Sequence, residues 1–429
     1  MKNLSLLFLT ITVCLISSCS KEKVTDPIDN KHLAGRSESV AGALASPVGD
    51  VVGKLVVGYQ GWFSCAGDGS PINNWVHWRN SAAPAPGNQS FELWPDCREF
   101  PTTFQTGYAN LGNGQPAKLY SSYSNSVVDK HLQWMQTYGI DCAAVQRFGS
   151  ELGNATFKLQ KDGIATKVRN AAQTFGRKFY IMYDISGWTN FQSAIKTDWT
   201  NTITGSLNLV GSGAYAKQNG KPVVCIWGIG VTGRPGDVTS WTEVINWFKA
   251  QGCYVIIGTS RLWRTDTVNL PAYNAADMIS PWSVGAFSGV VGADSYATTM
   301  AADFTYCNAQ GQDYQPVVFP GFAWSNWNGG AQNIIPRIHG DFMWRQFANV
   351  RNQGIPNAYV AMFDEYDEAT AIAKAAENSS MKPTNQYFLT LDADGVACSS
   401  DFYLRLTQDG AKMIKGQTAL AWAHPTSHQ

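Results

Sequence analysis

The sequence has little charge and no excess of either sign. Only 15% of its 429 residues are charged, and 32 basic residues balance 32 acidic ones. Soluble domains usually carry about 25% charged residues. Because neither a basic stripe nor an acidic tail is present, we expect no nucleic-acid partner. Hydrophobic residues make up 44% of the chain, enough for the core of one large domain or two small ones.

Histidine and cysteine do not occur in metal-binding patterns. The six histidines are scattered and show no zinc-type spacing with cysteine, so we expect no metal and no other cofactor. Cys14 and Cys19 belong to the N-terminal segment, and the cysteines that follow are odd in number, which argues against a full disulfide framework. Cys65 and Cys97 lie in polar, loop-like sequence, so a single bridge between them is compatible with the sequence.

Long hydrophobic runs are also missing, except near the N-terminus. Residues 6–16 form an apolar segment behind Lys2, and its length is typical of a signal peptide and too short for a membrane span. It runs into LISSC, which resembles a lipoprotein signal in which Cys19 is lipidated. An ordinary signal peptide with a chance cysteine is the alternative. We therefore predict a signal peptide over residues 1–18 and a lipoprotein of the bacterial outer membrane, facing the periplasm or the cell surface.

The remainder of the N-terminal region is polar, small and charged. Residues 19–50 are therefore predicted to be a flexible tether between the lipid and a folded domain. A single large domain is expected to follow over residues 51–425, as a monomer.

Eight short, mostly apolar runs recur after residue 51. They are Lys54–Tyr59, Cys142–Phe148, Phe179–Asp184, Pro222–Trp227, Tyr254–Thr259, Met278–Trp282, Pro316–Phe319 and Tyr359–Glu365. Several are almost wholly apolar, as expected for strands buried on both faces. Helical patterns fall between them, such as the one that starts after Ser126 and stops before Gly139. Another should open with a capping box at Ser240 and Glu243.

Eight strands that alternate with helices predict an α/β fold, a (β/α)₈ barrel. An open, doubly wound sheet is the alternative, but no glycine-rich dinucleotide loop follows the first run. In such a barrel the active site lies at the carboxyl ends of the strands.

Aromatic and polar residues follow nearly every predicted strand. Sugars stack their C–H faces on rings and need planar polar partners for their hydroxyls, so this repetition at one end of the fold favours a polysaccharide or oligosaccharide ligand. Each ring alone could equally belong to the core. The residues selected as substrate-binding candidates are Tyr59, Trp62, Gln146, Asp184, Trp227, Trp324 and Tyr366.

The last predicted strand ends in FDEYDEAT (363–370), with four carboxylates in five residues. Crowded carboxylates raise one another's pKa, which suits a general acid, and hydrolysis of a glycosidic bond needs one carboxyl protonated and one ionised. Glu365 and Glu368 would face opposite ways on an extended strand, but a turn after Glu365 would bring both into the barrel mouth. A solvated acidic turn and a calcium site are the alternatives.

At these residues the chain resembles glycoside hydrolase family 99, the endo-α-mannosidases, and the broader group that joins it with family 71. The family motif runs roughly FNEWHEGTQ, and this chain keeps the phenylalanine, both glutamates and the threonine at the same spacing. The family's Asn, Trp, His and Gly are replaced by Asp364, Tyr366, Asp367 and Ala369. Weaker similarities occur at Tyr59, Trp62, WPD (94–96) and PGF (320–322), so the resemblance spans about residues 54–410.

The resemblance implies a retaining hydrolase in which the sugar's own 2-hydroxyl attacks the anomeric carbon. Glu365 would be the base that deprotonates this hydroxyl. Glu368 would be the acid that protonates the leaving oxygen and then the base that activates water. The replaced positions leave hydrolysis of another α-glycan, such as an α-glucan, as an alternative. A non-catalytic, glycan-binding surface lipoprotein is the competing hypothesis, which requires the rings but not both glutamates.

Overall fold

The computed structural model describes residues 45–429. The predicted signal peptide, the lipidation site Cys19 and most of the predicted tether lie outside these residues. None of the helices in the described range combines the length and the apolar character that a membrane span requires.

The central sheet is built from parallel strands that curl into a barrel. The strands are β1 (Leu55–Tyr59), β2 (Phe104–Gln105), β3 (Lys118–Leu119), β4 (Cys142–Phe148), β5 (Lys178–Asp184), β6 (Lys217–Gln218), β7 (Lys221–Ile229), β8 (Tyr254–Ser260), β9 (Met278–Trp282), β10 (Asp313–Tyr314), β11 (Val317–Val318) and β12 (Ala358–Val360). The parallel order is β10-β9-β8-β7-β5-β4-β1-β12-β11, while β6 pairs antiparallel with β7, and β2 with β3. The wholly buried side chains of β1 show that both faces of the sheet are covered.

Strands β10 and β11 are two halves of one barrel strand that is interrupted between them. β10 pairs with β9, whereas β11 pairs with β12, so the two halves join the ends of the sheet. The backbone N–H of Gln315 still donates to Ile279 (2.9 Å), and the carbonyl of Pro316 accepts from Tyr359 (2.9 Å). Because proline has no N–H to donate, the break falls at this residue. The predicted (β/α)₈ barrel and its eight strands are thereby confirmed.

Helices lie between the barrel strands, as predicted. They are α1 (Asn125–Thr137), α2 (Ala155–Phe175), α3 (Phe191–Asp198), α4 (Val238–Ala250), α5 (Leu270–Ala275), α6 (Gly289–Gln310), α7 (Ser325–Asn328), α8 (Asp341–Asn352) and α9 (Phe402–Ile414), with a π-helical segment, Trp199–Ser206, that continues α3. The predicted start of α4 was wrong. The capping box is formed by Asp237 and Ser240, and each side chain accepts a hydrogen bond from the other residue's backbone N–H (both 2.8 Å). The helix therefore begins before Ser240.

The eighth barrel strand, β12, is shorter than predicted, and this leaves the residues after it free to form a turn. β12 ends at Val360, not at Glu365. After β12 the chain turns back and pairs with itself. The N–H of Met362 donates to the carbonyl of Thr370 (3.2 Å), and the N–H of Ile372 donates to the carbonyl of Met362 (3.0 Å). The acidic residues therefore lie on a turn at the carboxyl end of the barrel.

Two details of the predicted organisation differ in the structure. Cys65 and Cys97 are both free thiols, so the bridge that the sequence allowed is not formed; the Cys65 thiol instead donates to the carbonyl of Tyr120 (3.3 Å). Packing against the barrel also begins a few residues before position 51. Ser46 is buried, and its N–H donates to the carboxylate of Asp313 (3.1 Å).

Candidate active site

A cleft of about 370 Å³ opens at the carboxyl ends of the barrel strands. Ligand pockets usually measure about 300–1,000 Å³. Four barrel strands (β4, β5, β7 and β9) and the segments after β1 and β12 contribute to its walls. This end of the barrel is where enzymes of this fold keep their active sites. The lining residues are Gln60, Trp62, Gln146, Phe148, Met182, Asp184, Ser186, Trp227, Arg234, Trp282, Trp327, Met362, Glu365 and Glu368.

The acidic turn (residues 363–370) is fixed to the end of β1 by Asp364. This residue is fully buried, and its carboxylate accepts hydrogen bonds from the backbone N–H groups of Gln60 (2.7 Å) and Gly61 (2.9 Å). Burial raises the pKa of Asp364 to about 6. Asp364 therefore anchors the turn and does not face the cleft.

A second set of hydrogen bonds closes the acidic turn from behind. The carbonyl of Glu365 accepts from the N–H groups of Thr370 (3.1 Å) and Ala371 (3.0 Å). The buried guanidinium of Arg337 donates to the carbonyls of Ala369 (2.8 Å) and Ala371 (2.7 Å). Ala369 has a positive φ of 51°, a conformation that favours glycine, which is the residue in the resembled motif. These contacts hold Glu365 and Glu368 in the cleft wall.

The two glutamates differ in their hydrogen-bonding environment. The side-chain amide of Gln60 donates to Glu365 (2.9 Å), and a donor of this kind stabilises the ionised carboxylate. Burial raises the pKa of Glu365, and the neighbouring charge of Glu368 raises it further. Burial also raises the pKa of Glu368, to about 7. Because two close carboxyls in a poorly solvated site resist double ionisation, the pair retains one proton near neutral pH. The Gln60 hydrogen bond lowers the pKa of Glu365, against the larger effects of burial and of the Glu368 charge.

Asp367 points to a different neighbour. Its carboxylate lies 3.1 Å from Nδ1 of His77, and the His77 ring stacks on Trp62 with 3.8 Å between ring centroids. Burial lowers the pKa of His77 well below its usual value, so the stacked ring is neutral. Trp62 also packs against Phe148, at 5.3 Å. Asp367 therefore supports an aromatic wall of the cleft and is not one of its lining residues.

A buried carboxylate outside the cleft orients a further ring over it. Glu92 is fully buried and accepts hydrogen bonds from the Ser325 hydroxyl (2.6 Å) and the N–H of Asn326 (2.7 Å) at the start of α7. Burial raises the pKa of Glu92, whereas these bonds lower it. The anchored helix carries Trp327, whose side chain is 58% exposed and lines the cleft.

The structure brings together most of the residues selected from the sequence. Glu365 and Glu368 line the cleft, as do four of the predicted substrate-binding residues, namely Trp62, Gln146, Asp184 and Trp227. Asp184 is buried, which raises its pKa, and its carboxylate accepts from the N–H of Ser186 (2.7 Å).

Three predicted substrate-binding residues lie elsewhere. Tyr59 is fully buried, with its hydroxyl 3.1 Å from Nδ1 of His131 on α1. Side chains alternate along a strand, and a Cβ on the preceding Gly58 would clash with a hydroxyl inside the barrel, so Tyr59 faces the helices. Tyr366 is also buried and donates to the carbonyl of Lys374 (3.0 Å). Trp324 packs on Phe322 and is not among the lining residues.

Other lining residues were not selected from the sequence. Phe148 and Trp282 end predicted strands, and Gln60 and Trp327 follow them, so all four belong to the same strand-end pattern. Nothing in the sequence marks Met182 and Met362 as binding residues, because methionine is an ordinary core residue. Arg234 and Ser186 lie in loops after β7 and β5, where neither periodicity nor spacing identifies a binding residue.

A larger polar cavity of about 640 Å³ lies beside the barrel, along α3 and its π-helical continuation. Its only acidic lining residue is Asp198, and both oxygens of that carboxylate accept from Arg147 (2.6 and 2.7 Å). Without a second carboxyl, this cavity does not offer the acid–base pair that the smaller cleft contains.

Comparisons with known proteins agree with the fold. No protein-family model and no curated protein matches the sequence. A family 99 endo-alpha-mannosidase from Bacteroides thetaiotaomicron superposes with a TM-score of 0.62 at 15% identity, over 85% of this chain and 98% of that one. Its complex with Bis-Tris-propane gives 0.60 at 16% identity, over 86% and 98%. A glycoside hydrolase-like protein gives 0.50 at 14% identity, over 80% and 99%. At these identities the likeness shows a shared barrel fold.

Proposed function

We propose that this protein is a glycoside hydrolase that cleaves an α-linked polysaccharide or oligosaccharide, with endo-α-mannosidase-like, retaining chemistry. The observation that carries the proposal is the pairing of Glu365 and Glu368 in the strand-end cleft. Both pKa values are raised, so the pair retains one proton near neutral pH, and we place it on Glu368 because Gln60 donates to Glu365 (2.9 Å). Glycosidic hydrolysis requires this combination of one ionised and one protonated carboxyl. The fold shared with a family 99 enzyme and the matching spacing of the glutamates support the same chemistry.

In the first step, the ionised Glu365 accepts the proton of the sugar's 2-hydroxyl. The freed oxygen attacks the anomeric carbon, and the bond to the leaving oxygen breaks while Glu368 donates its proton to that oxygen. An epoxide-like sugar is formed.

In the second step, Glu368, now ionised, takes a proton from water, whose oxygen attacks the anomeric carbon. The 2-oxygen then recovers its proton from Glu365. Two displacements at one carbon retain its configuration, and both carboxyls return to their starting states.

The remaining lining residues suit a sugar. Trp62, Trp227, Trp282 and Trp327 bring four rings to one cleft. Within the described residues, several buried polar atoms of the lining lack a hydrogen-bond partner: Gln60 Oε1, Trp62 Nε1, Trp227 Nε1 and Arg234 Nε. Buried groups of this kind are costly unless a ligand satisfies them, and sugar hydroxyls can both donate and accept.

The proposal is tested by incubating the full chain with a panel of α-mannans and α-glucans and measuring product masses. We expect shorter oligosaccharides from at least one α-mannan, with the configuration of the new reducing end retained by NMR. The double variant Glu365→Gln/Glu368→Gln is the control for contaminating activity. Binding to the glycans without cleavage of any of them would instead support a non-catalytic glycan-binding protein.

We also propose that the chain is anchored to the membrane through a lipid on Cys19, since this residue ends an apolar segment of signal-peptide length. Cys19→Ala should move the protein from the membrane fraction to the soluble fraction, as measured by fractionation and immunoblotting. Cys14→Ala, which changes a cysteine inside the apolar segment, is the matched control and should leave the distribution unchanged. Equal membrane association of the Cys19→Ala protein would place the anchor elsewhere.

A further inference from the structure

We propose that the substrate carries an anionic substituent, a carboxylate, sulfate or phosphate, and that Arg234 binds it on the wall of the cleft opposite the glutamates. The inference rests on the proposed function and adds the chemical class of the glycan. It is carried by the position of Arg234, by its lack of an acidic partner and by the order of the barrel strands.

Arg234 is held in a defined place in the cleft. Its guanidinium carbon lies 5.2 Å from the centroid of the Trp227 ring. Gly258 on the neighbouring strand leaves room for this ring, since a Cβ there would clash with it. The Arg234 stem also packs close to Gly228, where a Cβ would lie 2.8 Å from Ile185 Cγ1 and 3.3 Å from Arg234 Cγ. Trp282 packs edge-on against Trp227 at 5.5 Å. The cation therefore belongs to the lining and is not a freely extended surface side chain.

No side chain in residues 45–429 neutralises Arg234. The salt bridges of this range do not include it, and its Nε is buried without an acceptor. Arg147, on the same end of the barrel, shows the opposite case, because Asp198 and Asp162 pair with it. Leaving a guanidinium N–H unpaired in a partly buried site costs free energy, so a ligand that supplies an acceptor gains from it.

Asp184 is the acidic residue whose charge interacts with Arg234, but the two do not form a pair. The positive charge of Arg234 lowers the pKa of Asp184, against the larger effect of burial. The Asp184 carboxylate accepts instead from the N–H of Ser186, at 2.7 Å. Within residues 45–429 the guanidinium of Arg234 is thus left without a carboxylate partner.

Strand order separates this cation from the proposed catalytic pair. From β7, which precedes Arg234, the sheet runs through β5, β4 and β1 to β12, which precedes Glu365. Four steps around an eight-stranded barrel lead to its opposite wall. An anion bound to Arg234 would therefore lie across the cleft from Glu365 and Glu368. A planar guanidinium fork fits the paired oxygens of a carboxylate, sulfate or phosphate, whereas neutral hydroxyls do not require a fixed positive charge.

The test compares oligosaccharides that share one α-mannan backbone and differ only in substituent: none, carboxylate, sulfate or phosphate. Binding is measured by calorimetry on the full chain with Glu368→Gln, in which cleavage should be at least about 10²-fold slower. We expect at least one anionic ligand to bind about tenfold more tightly than the neutral one, and high salt to reduce this preference. Adding Arg234→Gln should abolish the preference, and Arg234→Lys should retain part of it. Arg261→Gln, which removes an exposed cation in the loop after β8, should preserve it.

Three outcomes would overturn the inference: equal affinity for all four ligands, an equal loss for neutral and anionic ligands in Arg234→Gln, or the same loss of preference in Arg261→Gln. An equal loss of affinity for neutral and anionic ligands in Arg234→Gln would show that Arg234 only supports the Trp227 ring. Cleavage of neutral glycan by the unmutated chain, together with any of these results, would leave the proposed function intact. An Arg234-dependent anionic preference without cleavage of any glycan would retain the inference and contradict the hydrolase function.

Discussion

Replacing Glu365 or Glu368 by glutamine is expected to lower the rate of glycan cleavage by at least about 10²-fold while leaving the fold intact. Glutamine keeps the size of the side chain and most of its hydrogen bonding, but it can neither take up the 2-hydroxyl proton nor supply a proton to the leaving oxygen. Steady-state rates on the cleaved glycan, with circular dichroism as a check on folding, measure this effect. Both variants should still bind glycan, because the rings of the cleft are unchanged.

The pH dependence should follow from the raised pKa of Glu368, about 7. Its protonated form is the active one, so the rate should fall as pH rises through this value, and Glu368→Gln should lack this fall. Asp367→Asn is the matched control, since it removes another carboxyl group of the same turn, one that contacts His77 and does not line the cleft. If Asp367→Asn lowered the cleavage rate as much as the glutamate variants do, the acidic groups of the turn would matter together, and Glu365 and Glu368 would have no special role.

The second large effect is expected on stability, from Asp198→Ala. The Arg147 side chain is only 2% exposed, and Asp198 accepts from it through both carboxylate oxygens, at 2.6 and 2.7 Å. Asp198 also accepts from the Tyr183 hydroxyl (2.7 Å). Removing one partner of a buried ion pair typically costs about 3–5 kcal/mol, and we expect the lower end of this range because Asp162 still contacts Arg147 (2.7 Å). Urea unfolding should show a fall of this size in the free energy of unfolding.

Asp162→Ala provides the comparison for this prediction. Asp162 also contacts Arg147 (2.7 Å), but its side chain is more exposed and binds Lys158 as well. Its loss should therefore cost about 1 kcal/mol, as for a surface pair. Replacing Arg147, Asp198 and Tyr183 together by methionine, leucine and phenylalanine should recover much of the stability, because neither the buried ion pair nor an unpaired Tyr183 hydroxyl then remains. Similar losses in the two single variants would contradict the assignment of Asp198 as the principal partner.

The sequence determines the fold class because the barrel depends on repetition. Each strand is a short apolar run buried on both faces, and each connection carries a helical pattern, so eight weak signals support one another. The predicted seventh strand began at Pro316, whereas the structure has a short strand on each side of this proline, β10 and β11. The pairing partners of its two halves are set by distant strands and cannot be obtained from local sequence.

The site was partly predictable for a similar reason. Glu365 and Glu368 stand out by their spacing and by following an apolar run, and both line the cleft. Tyr59 shows the limit, since the last residue of a strand can face the cleft or the helices, and only the register decides which. Arg234 shows a second limit of sequence-based prediction, because its position depends on the Trp227 ring and on the space left by Gly228 and Gly258. Such contacts arise from tertiary packing.

The central claim, that Glu368 is the acid and Glu365 the base, is tested most directly with substrates of different leaving groups. A nitrophenyl glycoside needs little protonation of its leaving oxygen, so Glu368→Gln should regain at least about tenfold of its lost rate on this substrate relative to a natural glycan. Glu365→Gln should regain none, because the 2-hydroxyl must still be deprotonated, and the unmutated protein should fail to cleave the 2-deoxy analogue. Near-normal turnover by either variant, or ready cleavage of the 2-deoxy sugar, would contradict the account and make Asp184 the better candidate for a conventional nucleophile.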